Sequence, residues 1–249
     1  MINEIKSKDN ELIKYVKKLQ NNAFSREEKR FIVEGNHLVE MAKDYIDMVF
    51  CLPSFKNKNM YNNVYLINEM LMKKISQNSS FTEVLAVCKY IEEKSINSSR
   101  VLYLDDVQDP GNVGTIFRTA LALGFKDIIV SQGSASKYSF KTIQSSQGSI
   151  FKLNVVNRDM NTLLSLQKNG YSLVSTSLDV NSMFLSNLNF KKDHNYVIIL
   201  GNEGKGISKD IQAISDLKIK IEIEDIDSLN VGVAGGIIMY QASPYRKKD

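Results

Sequence analysis

The chain has 249 residues, of which 43% are hydrophobic and 24% charged, and these are the proportions of an ordinary globular protein. This length predicts one large or two modest domains. A net charge of +4 permits nucleic acid as a partner without requiring it. The two cysteines and two histidines show no metal-ligand spacing, so we expect no metal site. Because no apolar run reaches the roughly 18 residues of a membrane helix, and the start does not resemble a signal peptide, we expect a cytoplasmic protein.

A short polar segment, Lys94–Arg100, lies between two strongly apolar runs and is typical of a linker. It predicts a first domain over residues 1–97 and a second over residues 98–249. In the first, apolar periodicity predicts strands and helices in alternation, and therefore a small α/β domain. Its predicted helices cover residues 10–20 and 36–42, and its predicted strands cover residues 30–35, 48–51, 64–67 and 84–88.

The second half shows the same alternation more plainly. Uninterrupted apolar strands separated by helices predict a parallel sheet that is covered on both faces. The predicted strands cover residues 101–104, 127–130, 150–156, 171–176, 197–200 and 219–223, and the predicted helices residues 112–123, 162–166 and 228–241. Gly124 stands where a glycine commonly ends a helix.

A glycine-rich stretch, Leu200–Ser208, follows one of these buried strands. It is not a phosphate-binding P-loop, because Ile207 occupies the position of the required lysine, and it is not a dinucleotide fingerprint, because Lys209 replaces the third glycine. Such a turn can be only a tight loop. Glu203 favours a ligand site, since carboxyl ends of parallel strands are where α/β proteins bind ligands.

Two further stretches carry polar groups at the start of a predicted helix. Near the C-terminus, Asp227 or Ser228 is expected to cap the last helix, which places Asn230 in its first turn, where asparagine gains little. Residues 234–236, Ala-Gly-Gly, indicate that another backbone passes close by, within the chain or from a second subunit. In the other stretch, Asp109–Gly114, Asn112 is a candidate cap. Arg118 then lies on the more polar side of that helix, as a solvated residue or as a ligand for RNA phosphate.

In this order, DPGNVGTIFRTALALGF, ILGNEGKGIS and SLNVGVAGG resemble the motifs of the SpoU/TrmH family of RNA ribose 2′-O-methyltransferases, which use S-adenosylmethionine. The match covers residues 101–241. The first half, with KYVKKL and FIVEG, is similar to the N-terminal substrate-binding domain of the family's rRNA-modifying members.

The resemblance implies a trefoil-knotted α/β catalytic domain, in which the chain after Gly201 threads through a preceding loop. It also implies a homodimer with the final helix in the interface, which would account for the small residues at 234–236. The cofactor would be held by residues from three segments, namely Leu200, Gly201, Gly206, Ile221 and Leu229.

For catalysis, the resemblance gives the central role to Arg118, in some accounts as a base. A guanidinium stays protonated, so we favour a clamp on the target phosphate that lowers the effective pKa of the ribose hydroxyl. The remaining candidates, expected to position the ribose and shape the pocket, are Asn112, Glu203, Ser228 and Asn230. Two positions depart from the family pattern. Gln144 stands where an arginine is frequent, and Glu222 where a proline is usual.

The main hypothesis is therefore an S-adenosylmethionine-dependent RNA 2′-O-methyltransferase, with rRNA favoured over tRNA because of the additional N-terminal domain. The alternative is a ribosome-assembly factor that binds RNA, keeps the fold and lacks catalysis. A small-molecule nucleotide enzyme is disfavoured by the failed phosphate motifs. Which nucleotide is modified is left open by the sequence.

Overall fold

A computed structural model describes residues 2–177, 179 and 181–245, and these form two compact units with a sheet each. The first unit contains the chain up to Glu92 together with Tyr138–Phe151, and the second contains Glu93–Lys137 and the chain from Lys152 onward. Residues 138–151, assigned by the sequence to the second domain, thus belong to the first. The reason is aromatic packing, since the Phe31 ring stacks on Tyr138 with 4.6 Å between centroids and on Phe151 with 6.3 Å.

Strands and helices alternate in both units, as expected. The strands are β1 (Ile2–Glu4), β2 (Arg30–Glu34), β3 (Ile46–Cys51), β4 (Val64–Leu66), β5 (Val84–Lys89), β6 (Arg100–Asp105), β7 (Asp127–Val130), β8 (Asn154–Asn157), β9 (Tyr171–Thr176), β10 (Met183–Phe184), β11 (Asn195–Gly201) and β12 (Leu217–Lys220). The helices are α1 (Glu11–Leu19), α2 (Asn22–Glu28), α3 (Asn36–Met41), α4 (Glu69–Ile75), α5 (Pro110–Ala122), α6 (Phe140–Ser146), α7 (Met160–Lys168), α8 (Lys209–Ile214) and α9 (Val231–Ala242).

The first unit has a mixed five-stranded sheet in the order β1-β4-β3-β5-β2, with β5 antiparallel to both of its neighbours. Helix α1 buries Ile13, Val16 and Leu19, one every three residues, and turns its lysines outward. Its start is capped by Asn10, whose side chain accepts from the Leu12 backbone N–H. The core of the unit joins this apolar face to α4 and to the sheet.

The second unit has a seven-stranded sheet in the order β10-β12-β9-β11-β6-β7-β8, and all of its described pairings are parallel. The predicted parallel sheet is therefore confirmed. The central strands β6 and β11 are buried almost from end to end, as their uninterrupted apolar sequences indicated. The chain runs outward from β6 to β8 and returns on the other side of β11, so the connectivity reverses between β6 and β11.

Four predicted element boundaries are wrong for local reasons. The strand expected at 150–156 begins only at Asn154, because Ser149–Lys152 forms a 3₁₀ turn. The strand expected at 219–223 covers Leu217–Lys220, since its pairing with β9 ends at Ile219 and its pairing with β10 ends at Lys220. Both helix caps differ as well. Asp109 caps α5 in place of Asn112, and Asn230 caps α9 in place of Asp227 or Ser228.

Candidate active site

The site lies where β6 and β11 end side by side, with Gly201 paired to Asp105. The loops that follow these two strands leave the sheet at its topological switch point, the usual position of ligands in α/β folds. Gly201 has no room for a side chain, because a Cβ there would lie 2.4 Å from the Gly206 carbonyl carbon and 2.5 Å from the Ile207 nitrogen. A close approach of backbone atoms, and not a bound phosphate, therefore requires glycine at position 201.

The loop after β11 is closed on itself by Asn202. Its backbone N–H donates to the Gly206 carbonyl (2.9 Å), and its side-chain oxygen accepts from the N–H groups of Gly204 and Lys205, both at 2.9 Å. The Asn202 side-chain amide donates in turn to the Asp106 carbonyl at 2.8 Å. Asn202 is a residue that the sequence motifs did not predict. An asparagine two residues before a glycine commonly forms a turn through its side chain, and this pattern could have identified it.

Three of the sequence-predicted site residues form one hydrogen-bonded chain. The Asn112 side-chain amide donates to the Glu203 carboxylate at 3.0 Å, and the Asn230 amide donates to the Asn112 side-chain oxygen, also at 3.0 Å. The Asn230 oxygen then accepts from Gly232 and Val233 at the start of α9. Each of the three predicted motifs contributes one member, so the chain ties together the first turn of α5, the loop after β11 and the N-terminal cap of α9.

The Glu203 carboxylate also accepts from the backbone N–H groups of Gln108 (3.2 Å) and Asp109 (3.3 Å). Partial burial would raise the pKa of Glu203, but the Asn112 amide and these backbone donors outweigh it and hold the pKa below its ordinary value of 4.5. At neutral pH Glu203 is therefore an anion whose oxygens are occupied by donors. Such a carboxylate is suited to holding two loops together and poorly suited to accepting a proton.

Beside this chain lies a cavity of about 390 Å³, within the ordinary size range of small-molecule sites. Its wall contains every residue that the sequence analysis assigned to the cofactor, Leu200, Gly201, Gly206, Ile221 and Leu229. Glu203 and Ser228 also line it, whereas Asn112, Asn230 and Arg118 do not.

The cavity wall includes a segment that sequence reasoning missed, the end of β9 with Thr176, Ser177 and Asp179. These residues follow a buried parallel strand at the same edge of the sheet as Gly201, which is the signal that could have identified them. Apolar side chains from β12 and α9 complete the wall, including Ile219 and Ile238. The combination of loop backbone groups with an apolar wall suits a ligand that has both a flat aromatic part and a polar part.

Arg118 lies on the exposed face of α5, one turn beyond the exposed Thr115. It makes no hydrogen bond or ion pair with the described part of the chain. Its five N–H donors, unpaired within the described ranges, are therefore available to an external anion.

A neighbour within the same chain explains one glycine of the 234–236 stretch. A Cβ at Gly235 would lie 2.7 Å from the Leu200 Cδ1 atom, whereas one at Gly236 would meet Thr119 at an ordinary 3.7 Å. Of the two alternatives left by the sequence, a neighbour inside the subunit is therefore sufficient at Gly235 and does not account for Gly236. A different face of α9 is apolar and exposed, with Val233, Ile237 and Tyr240 at 54%, 40% and 61% exposure.

The two departures from the family pattern have different surroundings. Gln144 lies in α6 of the first unit, where its side-chain amide donates to the Glu34 carbonyl at 3.3 Å. Glu222 lies after β12 and accepts from the Ser186 hydroxyl and, at 3.3 Å, from the Ser186 backbone N–H. These hydrogen bonds lower the pKa of Glu222. Over the described ranges, no group of three or more His, Cys, Asp or Glu side chains could hold a metal ion.

Known proteins share the sequence motifs that form this site. The sequence profile of the SpoU rRNA Methylase family matches residues 99–240, more than half of the chain. The chain belongs to the SpoU rRNA methylase family. The MRM3-like substrate binding domain profile matches residues 10–86. The predicted family is thus confirmed, and with it the predicted enzyme class, an RNA 2′-O-methyltransferase dependent on S-adenosylmethionine.

Individual SpoU-family relatives extend the likeness over both units. The chain is 30% identical over 247 residues to the 23S rRNA (guanosine(2553)-2′-O)-methyltransferase RlmP of Bacillus subtilis, covering 95% of this chain and 98% of RlmP. The AdoMet-bound rRNA methyltransferase from Sinorhizobium meliloti has the same fold, with a TM-score of 0.87 at 24% identity over 97% of both chains. A TrmH-family protein from Porphyromonas gingivalis has a TM-score of 0.85 at 28% identity, covering 93% of this chain and 96% of that one.

In the part of the chain that the structure describes, no helix is long and apolar enough to span a membrane.

Proposed function

We propose that this protein transfers a methyl group from S-adenosylmethionine to a ribose 2′-hydroxyl of 23S rRNA, at the guanosine equivalent to the RlmP target. The observation that carries the proposal is the single cavity at the switch point, which gathers all five cofactor candidates from three separate segments. The likeness to RlmP over nearly the whole length of both chains supports rRNA, and 23S rRNA in particular, as the substrate.

The residues present fit S-adenosylmethionine. The apolar side chains of Leu200, Ile221 and Leu229 would hold the adenine, and backbone carbonyls of the Gly201–Gly206 loop would accept hydrogen bonds from its polar edge. When bound, this cofactor supplies a methyl group on a positively charged sulfur, which a nucleophilic oxygen can take in one displacement. The N–H groups of Asn202, Gly204, Lys205 and Gly206 are bonded within the loop and fix its backbone, so little order has to be gained on binding.

The protein's own contribution to the reaction is positioning and charge. Arg118 binds the phosphate beside the target ribose, since its planar fork matches two phosphate oxygens and it has no partner among the residues that the structure describes. Its permanent positive charge lowers the effective pKa of the neighbouring 2′-hydroxyl without accepting the proton. As the new oxygen–methyl bond forms and the sulfur–methyl bond breaks, the hydroxyl proton is released to solvent water. Asn112, Glu203 and Asn230 are positioning residues, because their hydrogen bonds to one another fix the loops around the ribose. Ser228, on the cavity wall, contacts the ribose.

Three further features belong to the same proposal. The chain after Gly201 passes through a preceding loop and forms a trefoil knot that shapes the cofactor cavity. The protein is a homodimer that buries the apolar face of α9, formed by Val233, Ile237 and Tyr240, which share one side of the helix at spacings of four and three residues. It acts in the cytoplasm, where its rRNA substrate is found.

Two measurements test the activity. Calorimetric titration with S-adenosylhomocysteine is expected to show binding of one molecule per subunit, and no heat change at high micromolar concentrations would contradict the cofactor site. Radiolabelled methyl transfer to total rRNA from a strain lacking the gene is expected to label 23S rRNA. Binding of rRNA without label would support the alternative, a non-catalytic assembly factor, and mapping of 2′-O-methyl positions with and without the gene identifies the nucleotide.

A further inference from the structure

The first unit contains a second concave site, a groove of about 350 Å³ at the C-terminal end of α4 and in the loop that follows it. Lys73, Asn78, Ser79, Ser80 and Phe81 line it. Its most unusual member is Phe81, which is 62% exposed, whereas Phe31, Phe50 and Phe117 are at most 1% exposed. Its exposure alone would be ordinary, but its position in a concave site leaves the ring available to a ligand, and aromatic rings are common among the residues that dominate binding.

The loop that carries Phe81 is held from behind by a buried carboxylate. Glu34, 1% exposed, accepts from the Ser76 hydroxyl at 2.6 Å and from the backbone N–H groups of Gln77 (2.8 Å) and Asn78 (3.3 Å). The Thr82 hydroxyl donates to the Val84 carbonyl at 3.2 Å and ties the other end of the loop to β5. The groove is therefore presented in a fixed shape, which reduces the entropy that a ligand's binding must overcome.

One lysine, Lys73, lines the groove, and three further lysines belong to the same or an adjacent helix end. The Gln20 amide, which follows α1, donates at 2.7 Å to the carbonyl of Ile75, the last residue of α4, so the C-terminal ends of the two helices are adjacent. Each last turn carries two lysines, and the four are Lys17, Lys18, Lys73 and Lys74. The side chains of Lys17 and Lys73 form no hydrogen bond or ion pair with any described residue. The acid on the groove wall is Glu69.

We propose that this groove, from Lys73 to Phe81, binds a single-stranded segment of the substrate RNA, with one base stacked on Phe81 and the neighbouring phosphates on the lysines. An aromatic ring beside lysines is the combination that holds single-stranded nucleic acid, because every base has a stacking face and every linkage a charge. The hydroxyl and amide groups of Asn78, Ser79 and Ser80 supply donors and acceptors for base edges or for the ribose 2′-hydroxyl. The proposal rests on the proposed function in that the RNA is the methylation substrate.

The test uses the full-length protein and 23S rRNA fragments, with the dissociation constant measured by filter binding and the rate by methyl transfer. Phe81→Ala and Phe81→Leu are each expected to weaken RNA binding by on the order of tenfold, the loss of one stacked base. Phe81→Tyr, which keeps the stacking face, should remain within twofold of wild type. Affinity for S-adenosylhomocysteine and the rate at saturating RNA should be unchanged in all three variants.

The lysines give a separate readout. Lys73→Ala is expected to reduce the slope of log affinity against log salt concentration by about 0.7, the release of one counterion from a single strand, whereas Phe81→Ala should leave that slope unchanged. Met70→Ala is the matched control, since Met70 is 71% exposed on α4 and does not line the groove. RNA carrying 4-thiouridine should crosslink to the peptide containing Phe81.

Wild-type RNA affinity in Phe81→Ala, or an equal loss in Met70→Ala, would overturn the groove as an RNA site, as would crosslinks confined to other peptides. Because RNA binding is measured apart from methyl transfer, these outcomes are distinct from a failure of the proposed function. If the proposed function fails, the wild-type protein will bind RNA without methylating it. The effect of Phe81→Ala on the dissociation constant can still be measured by filter binding.

Discussion

Asn112 and Glu203 are 91 residues apart in the chain, and the Asn112 side-chain amide lies 3.0 Å from the Glu203 carboxylate. This hydrogen bond joins the first turn of α5, which follows the loop after β6, to the loop after β11 at the point where the connectivity of the sheet reverses. It also fixes the orientation of Asn112, because the amide nitrogen faces Glu203 and the oxygen is left to accept from Asn230. The binding site therefore depends on a contact that neither loop can form alone.

Arg118 is expected to separate chemistry from cofactor binding. Arg118→Ala should leave affinity for S-adenosylhomocysteine nearly unchanged, because Arg118 does not line the cavity, and should lower methyl transfer by on the order of 10²-fold or more. Arg118→Lys should recover little, since an ammonium group lacks the bidentate fork. Lys168→Ala, at the exposed end of α7, is the control. A single-turnover rate within twofold of wild type in Arg118→Ala, at saturating RNA, would exclude a catalytic role.

Glu203 should make stability depend on pH in the acid range. Its pKa in the folded protein is held below the ordinary value of 4.5, so ionised Glu203 stabilises the folded state above about pH 4.5. That contribution is lost as the pH falls through the lowered pKa. We therefore expect the free energy of unfolding of wild type to exceed that of Glu203→Gln by a constant amount near neutrality, with the difference shrinking in acid. Urea titrations across this range check the prediction, and a difference independent of pH would contradict it.

Two adjacent glycines of α9 form a matched pair. A Cβ at Gly235 would meet Leu200, on the cavity wall, at 2.7 Å, whereas one at Gly236 would meet Thr119 at an ordinary 3.7 Å. Gly235→Ala should push Leu200 into the cavity and weaken binding of S-adenosylhomocysteine. Gly236→Ala should leave binding unchanged and raise the free energy of unfolding by up to about 1 kcal/mol through helix propensity. Calorimetry and thermal melting measure both, and equal affinities would show that Leu200 can move without affecting the cofactor.

The apolar face of α9 predicts the oligomeric state. Sedimentation of the wild-type protein at micromolar concentration should show a dimer, and Ile237→Asp should shift it to a monomer, because a carboxylate buried between two subunits would lack a partner. Met70→Asp changes an equally apolar, exposed residue of the first unit and should leave the dimer intact. A wild-type monomer would remove the basis for assigning this face to an interface.

The sequence by itself determined the alternation of strands and helices, the parallel sheet of the second unit and the family. These features depend on local sequence, namely the spacing of apolar residues along each element and the order of three short motifs, so they can be predicted without the tertiary structure. The family resemblance carried by those motifs also implied five residues that line the cavity, at loops where the ends of buried parallel strands meet at one edge of the sheet.

Only the tertiary structure decided which groups meet across long stretches of chain. Asn230 caps its own helix and reaches Asn112, 118 residues away, and residues 138–151 join the first unit by stacking on Phe31. The same holds for the neighbour of Gly235, which is Leu200 of the same chain. Each of these outcomes depends on a hydrogen bond or a packing contact between residues distant in sequence. Local periodicity records that a residue is buried or polar, but not which distant residue it meets.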